Sequence, residues 1–287
     1  MRIAVISDQL SDDLEEAIQI GTLLELNTYE LRWVRPPGGL RIRRIGELAD
    51  SDATSLAAAA RRYGATFSAI STDLFHSRWV SDELADHLHR LERFLRLAEL
   101  FGAQNIVVHG FLPPEGRRNG VCPPGVIDAL GQATKRAQEA GFRLLLRNAS
   151  DSYADTGAHT ASIVHAVHSP GLGVSWDPCQ AARVGERAIS DGYEWVAPFV
   201  GDVSVRDQVW REGLGFEYAT LGEGDMEWLA QLRALIRDGY QGTITLGSQL
   251  EPRLLSTLHS LETLRKLLKK ARGGGPVQSN DNVTGGR

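Results

Sequence analysis

Six short apolar runs in this chain end in polar or charged residues, and those residues are the ones whose types could do chemistry. They are Glu30 and Arg32 in YELR, His109 in VVHG, Arg147 in LLLRN, Asp177 in VSWD, Ser204 and Arg206 in VSVRD, and Gln249 in TLGSQ. The most informative is FRLLLRNAS, Phe142 to Ser150. Strand alternation puts Leu144 and Leu146 on one face and Leu145 and Arg147 on the other, so a guanidinium shares a face with a core-type side chain. A buried, unpaired charge costs several kcal/mol, which makes Arg147 either a ligand-binding group or half of an internal ion pair. A guanidinium can hold a carboxylate, a phosphate or an enolate-like oxygen through paired hydrogen bonds. His109, Glu30 and Asp177 are the acid–base candidates beside it. Arg32, Arg147, Asn148, Gln180, Ser204, Arg206 and Gln249 are the candidate substrate-binding groups, and three arginines among them point to an anionic ligand.

Such residues need a scaffold that gathers strand ends. RIAVIS (2–7) reads as a buried strand, and the helix that follows carries acids at its start and apolar residues at helical spacing. The alternation continues with strands at 28–34, 66–71, 105–110, 142–148, 172–177, 202–207 and 243–249. Helices are expected around 46–63, 81–101, 126–140, 193–197, 226–238 and 254–271. Leu91, Phe94, Leu95, Ala98 and Phe101 form one apolar stripe, and Leu254, Leu258, Leu261, Leu264 and Leu268 another. Eight strand units in residues 1–272 fit a single α/β domain, a closed (β/α)8 TIM barrel, better than an open doubly wound sheet. In a barrel the carboxyl ends of the strands carry the working groups. Alternation then turns Glu30, Arg32, His109, Arg147, Asp177, Ser204, Arg206 and Gln249 toward one mouth. Residues 273–287 lack apolar periodicity and are expected to form a disordered tail, in which the Asn282-Val283-Thr284 sequon carries little weight.

Composition narrows the partners. The chain of 287 residues has a formal charge of −5 from acids and bases scattered along its length, with no basic cluster of interleaved aromatics, so nucleic acid is not an expected partner. No signal-like start or membrane-length apolar run is present, and a cytoplasmic location with no membrane partner is expected. Cys122 and Cys179 lie in no metal-ligating spacing and read as reduced, small buried residues.

The segments DDLEEAIQIG, YELR, VVHG, VSWDPCQ, SVRD, LGEGDMEWL and DGYQGTITL, in this order and spacing, resemble the xylose isomerase-like TIM-barrel family of sugar isomerases, sugar-phosphate epimerases and the endonuclease IV fold. The resemblance covers nearly the whole chain. It implies a divalent metal held by Glu, Asp, His and Glu from the last four strands, with a further His three residues after the Asp. Here those positions carry Arg147, Asp177, Ser204 and Gly247, and the later His position is Gln180. Glu30, Arg32, His109, Arg206, Asp207 and the LGEG loop (Leu221 to Gly224) are retained. At about 4 Å and an effective dielectric of roughly 20, a guanidinium repels a divalent cation by about 8 kcal/mol, comparable to a micromolar affinity. No metal and no other cofactor is therefore expected.

Two functional readings follow. The first is a metal-free isomerase, epimerase or lyase-like enzyme acting by proton abstraction on a small hydroxylated or carbonyl substrate. The second is a catalytically retired barrel that binds a small molecule or a protein, with Arg147 paired to Asp177, its nearest expected counter-charge. A nuclease-like role lacks both the metal cluster and the basic surface it would need. A homodimer is compatible with the resemblance.

Overall fold

Eight parallel strands close into a barrel in a computed structural model that describes residues 1–115 and 121–273. The strands are β1 (Arg2–Ile6), β2 (Thr28–Leu31), β3 (Thr66–Ser71), β4 (Asn105–Val108), β5 (Arg143–Arg147), β6 (Leu172–Trp176), β7 (Val200–Val205) and β8 (Thr243–Leu246). Each pairs with its neighbours in sequence order, and β1 closes the ring by pairing with both β2 and β8. Register brings Arg147 beside Ser175, Ser175 beside Asp202 and Ser204 beside Thr245, so inward groups of successive strands form layers.

Around the barrel lie α1 (Leu14–Leu23), α2 (Asp50–Arg62), α3 (Leu84–Phe101), α4 (Pro124–Glu139), α5 (Gly157–Val167), α6 (Pro178–Arg183), α7 (Glu194–Val196), α8 (Trp228–Arg237) and α9 (Arg253–Gly273). Local chemistry sets their ends. The Asp13 side chain accepts from the Glu16 amide at 3.0 Å to start α1. Gly102, at φ 69°, ends α3 in the left-handed region and lets the Ala103 amide reach the Ala98 carbonyl.

The core has two unequal parts. Between strands and helices lies a large apolar layer that includes Tyr29, Trp176, the α3 stripe and the outward leucines of β5. Inside the barrel the only apolar cluster among the described residues is Ala69, Val107 and Leu145. Buried Glu30, Arg147, Ser175, Asp202, Ser204, Thr243 and Thr245 share the interior with it. Barrel centres are more often packed with branched apolar side chains, so this column of polar groups must be held by hydrogen bonds.

Several expectations need correction. The second strand ends at Leu31, and Trp33–Val34 instead pairs antiparallel with Arg43–Arg44, which turns Trp33 into the mouth rather than toward a helix. The helix expected from Gly46 starts at Asp50 after a 3-10 turn over Ile45–Glu47, because the backbone is extended at Leu48 and Ala49. Helix α5 was not anticipated: its small and polar residues give weak periodicity, and the Thr156 side chain caps it. The stripe of α9 begins later than expected. Leu254 is exposed, while Ser256, Thr257 and Ser260 are buried, since their hydroxyls meet Ser248, Gln9 and the Leu221 amide. After β7 the chain forms a hairpin, Asp207–Arg211 with Gly215–Ala219, in a stretch to which the sequence reading assigns no element. Helix α9 extends through Gly273; the expected tail and its sequon otherwise lie outside the described residues. No helix among the described residues is long and apolar enough to cross a membrane.

Candidate functional site

The carboxyl ends of the strands surround a cavity of 450 Å³. Of the residues singled out from sequence, Arg32, His109, Arg147, Asn148, Asp177, Gln180, Arg206 and Gln249 line it. Glu30 and Ser204 do not; both are buried beneath the floor. Strand alternation thus brings the expected residues to one mouth, and their pairings decide what each can do.

The counter-charge of Arg147 is Glu30, not Asp177. Nη2 of Arg147 reaches both Glu30 carboxylate oxygens at 3.1 Å, Nη1 donates to Ser71 Oγ at 3.1 Å, and Nε donates to Ser175 Oγ at 3.2 Å. Register explains the choice. Arg147 sits beside Ser175 on β6, one layer below Asp177, so its side chain crosses the barrel toward β2 and β3. Glu30 is fully buried, and its carboxylate is held by this pair.

Asp177 belongs to a second pair. It caps α6 by accepting from the amides of Cys179 and Gln180, and its Oδ2 lies 3.2 Å from Nη2 of Arg206. That contact is ionic but misaligned, since Oδ2 has no hydrogen-bond partner by geometry. Arg206 also donates to Tyr218 Oη and Ser204 Oγ, while its buried Nε has no partner. Asp177 and Tyr218 hold its pKa above the usual guanidinium value, although burial opposes them. Arg32 is similarly occupied by Asp8, at 2.7 Å. Asn148 grips the backbone N–H and C=O of Asp177, and Gln180 accepts from Ser150. These two amides position the strand ends.

Below Arg147, Asp202 is fully enclosed. Its oxygens accept from Thr243, Thr245 and Ser175. Burial, and then the nearby Glu30 charge, push its pKa up to about 6, against the pull of Arg147. Arg147 therefore serves two buried carboxylates, Glu30 directly and Asp202 through Ser175.

The rim adds groups that strand alternation did not reveal. His76 and Asp151 meet at 3.4 Å, and the His76 ring stacks on His109 with centroids 4.4 Å apart. Hydrogen bonding to Asp151 raises the pKa of His76 and lowers that of Asp151. Burial, reinforced by the positive charges of His76 and Arg147, lowers His109 to about 3, so it is neutral in ordinary conditions. His109 Nδ1 is sealed from solvent and has no partner. Arg183 stacks 4.6 Å over the Tyr218 ring and donates to Gln208 Oε1, with no carboxylate partner among the described residues. The sequence signal for His76 and Asp151 was their position just after β3 and β5. For Arg183 and Asp8, only tertiary contact reveals the role.

The expected metal position does not fit a cation. Its four places carry Arg147, Asp177, Ser204 and Gly247, and no group of three or more His, Cys, Asp or Glu in ligating arrangement occurs among the described residues. A Cβ at Gly247 would fall 2.6 Å from Ile6 Cδ1, so even the space for a longer residue there is taken by the core. What the site offers instead is an open cavity with an uncompensated guanidinium at Arg183, a protonatable His76–Asp151 dyad and a neutral imidazole.

Comparison with known proteins bears on the same scaffold. A family model described as xylose isomerase-like TIM barrel matches residues 23–267. Among solved structures, an L-ribulose 3-epimerase superposes with a TM-score of 0.73 at 16% identity, over 94% of this chain and 95% of that one. A D-tagatose 3-epimerase-like protein gives 0.74 at 17%, over 94% and 99%. The probable 3-DHS dehydratase of petrobactin synthesis from Bacillus anthracis gives 0.72 at 10%, over 92% and 99%. At such identities the likeness shows the fold. No curated protein matches the sequence significantly.

Proposed function

Because the chain belongs to the xylose isomerase-like TIM-barrel family, we propose that it is a metal-independent acid–base enzyme acting on a small hydroxylated or carbonyl compound that bears an anionic group. The observation that carries this reading is the His76–Asp151 dyad stacked on His109 in the cavity that Arg183 and Arg206 also line. Asp151 keeps His76 protonated to higher pH than a free imidazole, which suits a general acid facing a carbonyl oxygen. Arg183 and Arg206, which line the cavity, supply positive charge for an anion. That neighbours of this fold are named as epimerases and as a probable dehydratase supports this class. Of the three acid–base candidates from sequence, His109 keeps an unpartnered nitrogen, whereas Glu30 and Asp177 are each held by an arginine. Glu30 acts in this reading by fixing Arg147, and Asp177 by fixing Arg206.

That same occupation favours a second reading, a barrel that binds its ligand without turning it over. Solvent exchange separates the two without knowledge of the product. The metal-stripped protein is incubated in D2O with a panel of sugar acids and keto acids, and deuterium entry beside the carbonyl is followed by NMR. The enzyme reading expects exchange that survives chelation and falls by about 10²-fold or more in His76→Gln. It also expects exchange to decline as pH rises through the raised His76 pKa, with Asp151→Asn moving that decline to lower pH. Ligand binding with no exchange supports the scaffold reading. Exchange that needs an added divalent ion overturns metal independence.

A further inference from the structure

The opposite, N-terminal mouth of the barrel holds a second cavity, of 280 Å³. Arg2, Gln104, Asn105, Arg143, Tyr240 and Thr243 are among the residues lining it, and no Asp or Glu is. Arg143 opens β5 two residues before Leu145 and four before Arg147, so alternation aims all three into the barrel. The space it occupies is built by its neighbours. A Cβ at Gly173 would lie 2.5 Å from Arg143 Nη2, and one at Gly201 would lie 3.3 Å from Nη1. The pairing of β6 with β7 shifts register between Val174 and Ser175, which leaves Gly201 as the extra residue of the bulge. Two glycines and a bulge thus seat one guanidinium against the backbone of two strands.

Its partners are few. Nη2 meets the Phe199 carbonyl only at 3.5 Å, and the buried Nε has no hydrogen-bond partner. No carboxylate pairs with it among the described residues. Asp202, two strands away on β7, is turned to Thr243, Thr245 and Ser175. Arg32, Arg147 and Arg206 at the upper mouth each face a carboxylate. Burial lowers the pKa of Arg143, as expected for a cation that has lost water without gaining a counter-ion. The neutral donors nearby are engaged: Asn105 donates to the Ser68 carbonyl and Tyr240 to the Thr243 carbonyl. Arg2, exposed at the rim, is the cavity's other positive group.

We propose that this N-terminal mouth is an anion-binding site, in which Arg143 and Arg2 hold a small oxyanion such as a phosphate or carboxylate group. The site is separate from the upper cavity, with the Ala69, Val107 and Leu145 cluster between them in the strands. An oxyanion there, met by the terminal nitrogens of the guanidinium and by Arg2, neutralises the buried cation without disturbing the Asp202 network.

Inorganic phosphate, titrated at constant ionic strength and followed through the backbone amides of Gly201, Gly242 and Thr243 by NMR, tests this. Saturable shifts of these amides are expected in the wild type and in Arg183→Gln, a change confined to the upper mouth. Arg143→Gln should weaken the lower-mouth response about tenfold or more. If that variant does not fold, Arg2→Gln at the exposed rim is the substitute and should also weaken it. Shifts confined to upper-mouth residues, or an unchanged titration in the Arg143 variant, overturn the proposal. So does the absence of any saturable shift at these amides in the wild type.

Discussion

Replacing Arg147 with Met removes the cation on which the barrel interior depends. The guanidinium makes four hydrogen-bond contacts, two of them to Glu30, which is fully enclosed. At about 4 Å and an effective dielectric of roughly 20, such a pair is worth about 4 kcal/mol of Coulomb energy before desolvation. Breaking a buried pair by removing one partner typically costs about 3–5 kcal/mol, because the other charge is left uncompensated. Here Asp202 worsens the position, since its oxygens share the interior with Glu30 and reach Arg147 through Ser175. Arg147→Met is therefore expected to lose about 3–5 kcal/mol at pH 7. The double variant Arg147→Met, Glu30→Gln should recover most of that loss, because Met fills similar volume and Gln removes the carboxylate that Arg147 pairs with directly. Urea unfolding of the wild type, the two single variants and the double variant closes the cycle, and a coupling of at least about 2 kcal/mol is expected. A loss under about 1 kcal/mol in Arg147→Met, or strictly additive effects, would refute a structural role for the pair. The double variant also addresses ligand binding. If Arg147 serves only the interior, a ligand of the upper cavity binds the double variant as it binds the wild type.

Two other perturbations test the surrounding network. Asp202 has its pKa raised to about 6 from 3.8, so between those values the folded state holds a proton that the unfolded state releases. Its contribution to stability is thus fully present below about pH 4 and lost as pH rises through about 6; the difference between wild type and Asp202→Asn in urea midpoints across pH 4–8 should carry this slope, and parallel profiles would count against it. Asp207 accepts from the amides of Gln208, Gly222, Gly224 and Met226, and so anchors the LGEG loop to β7. Asp207→Ala should cost about 1–3 kcal/mol by leaving these amides, of which that of Gln208 is buried, without their acceptor, with faster hydrogen exchange at those four positions; unchanged exchange would show the loop to be held by something else.

The sequence alone determined the architecture and the mouth. Period-two runs separated by helical stripes specify eight strand–helix units, and alternation aims Arg147, Asp177, Arg206 and Gln249 to one end because pleat geometry is local. The departures at Arg147, Ser204 and Gly247 from a metal-binding set were equally legible, as they are matters of residue type. Helix α5, the hairpin at Asp207–Ala219 and the break after Leu31 were not, because weak periodicity and a short antiparallel pair leave little local signal. Pairing within the site was decided only by tertiary structure. Arg147 and Asp177 are close in the reading of strand ends, yet the stagger of neighbouring strands sets them one layer apart, giving Arg147 to Glu30 and Asp177 to Arg206. His76, Asp151 and Arg183 come from loops and a short helix whose course no period describes. Charge pairing is a property of distance across the barrel, which depends on register and closure, and neither is written in any single strand.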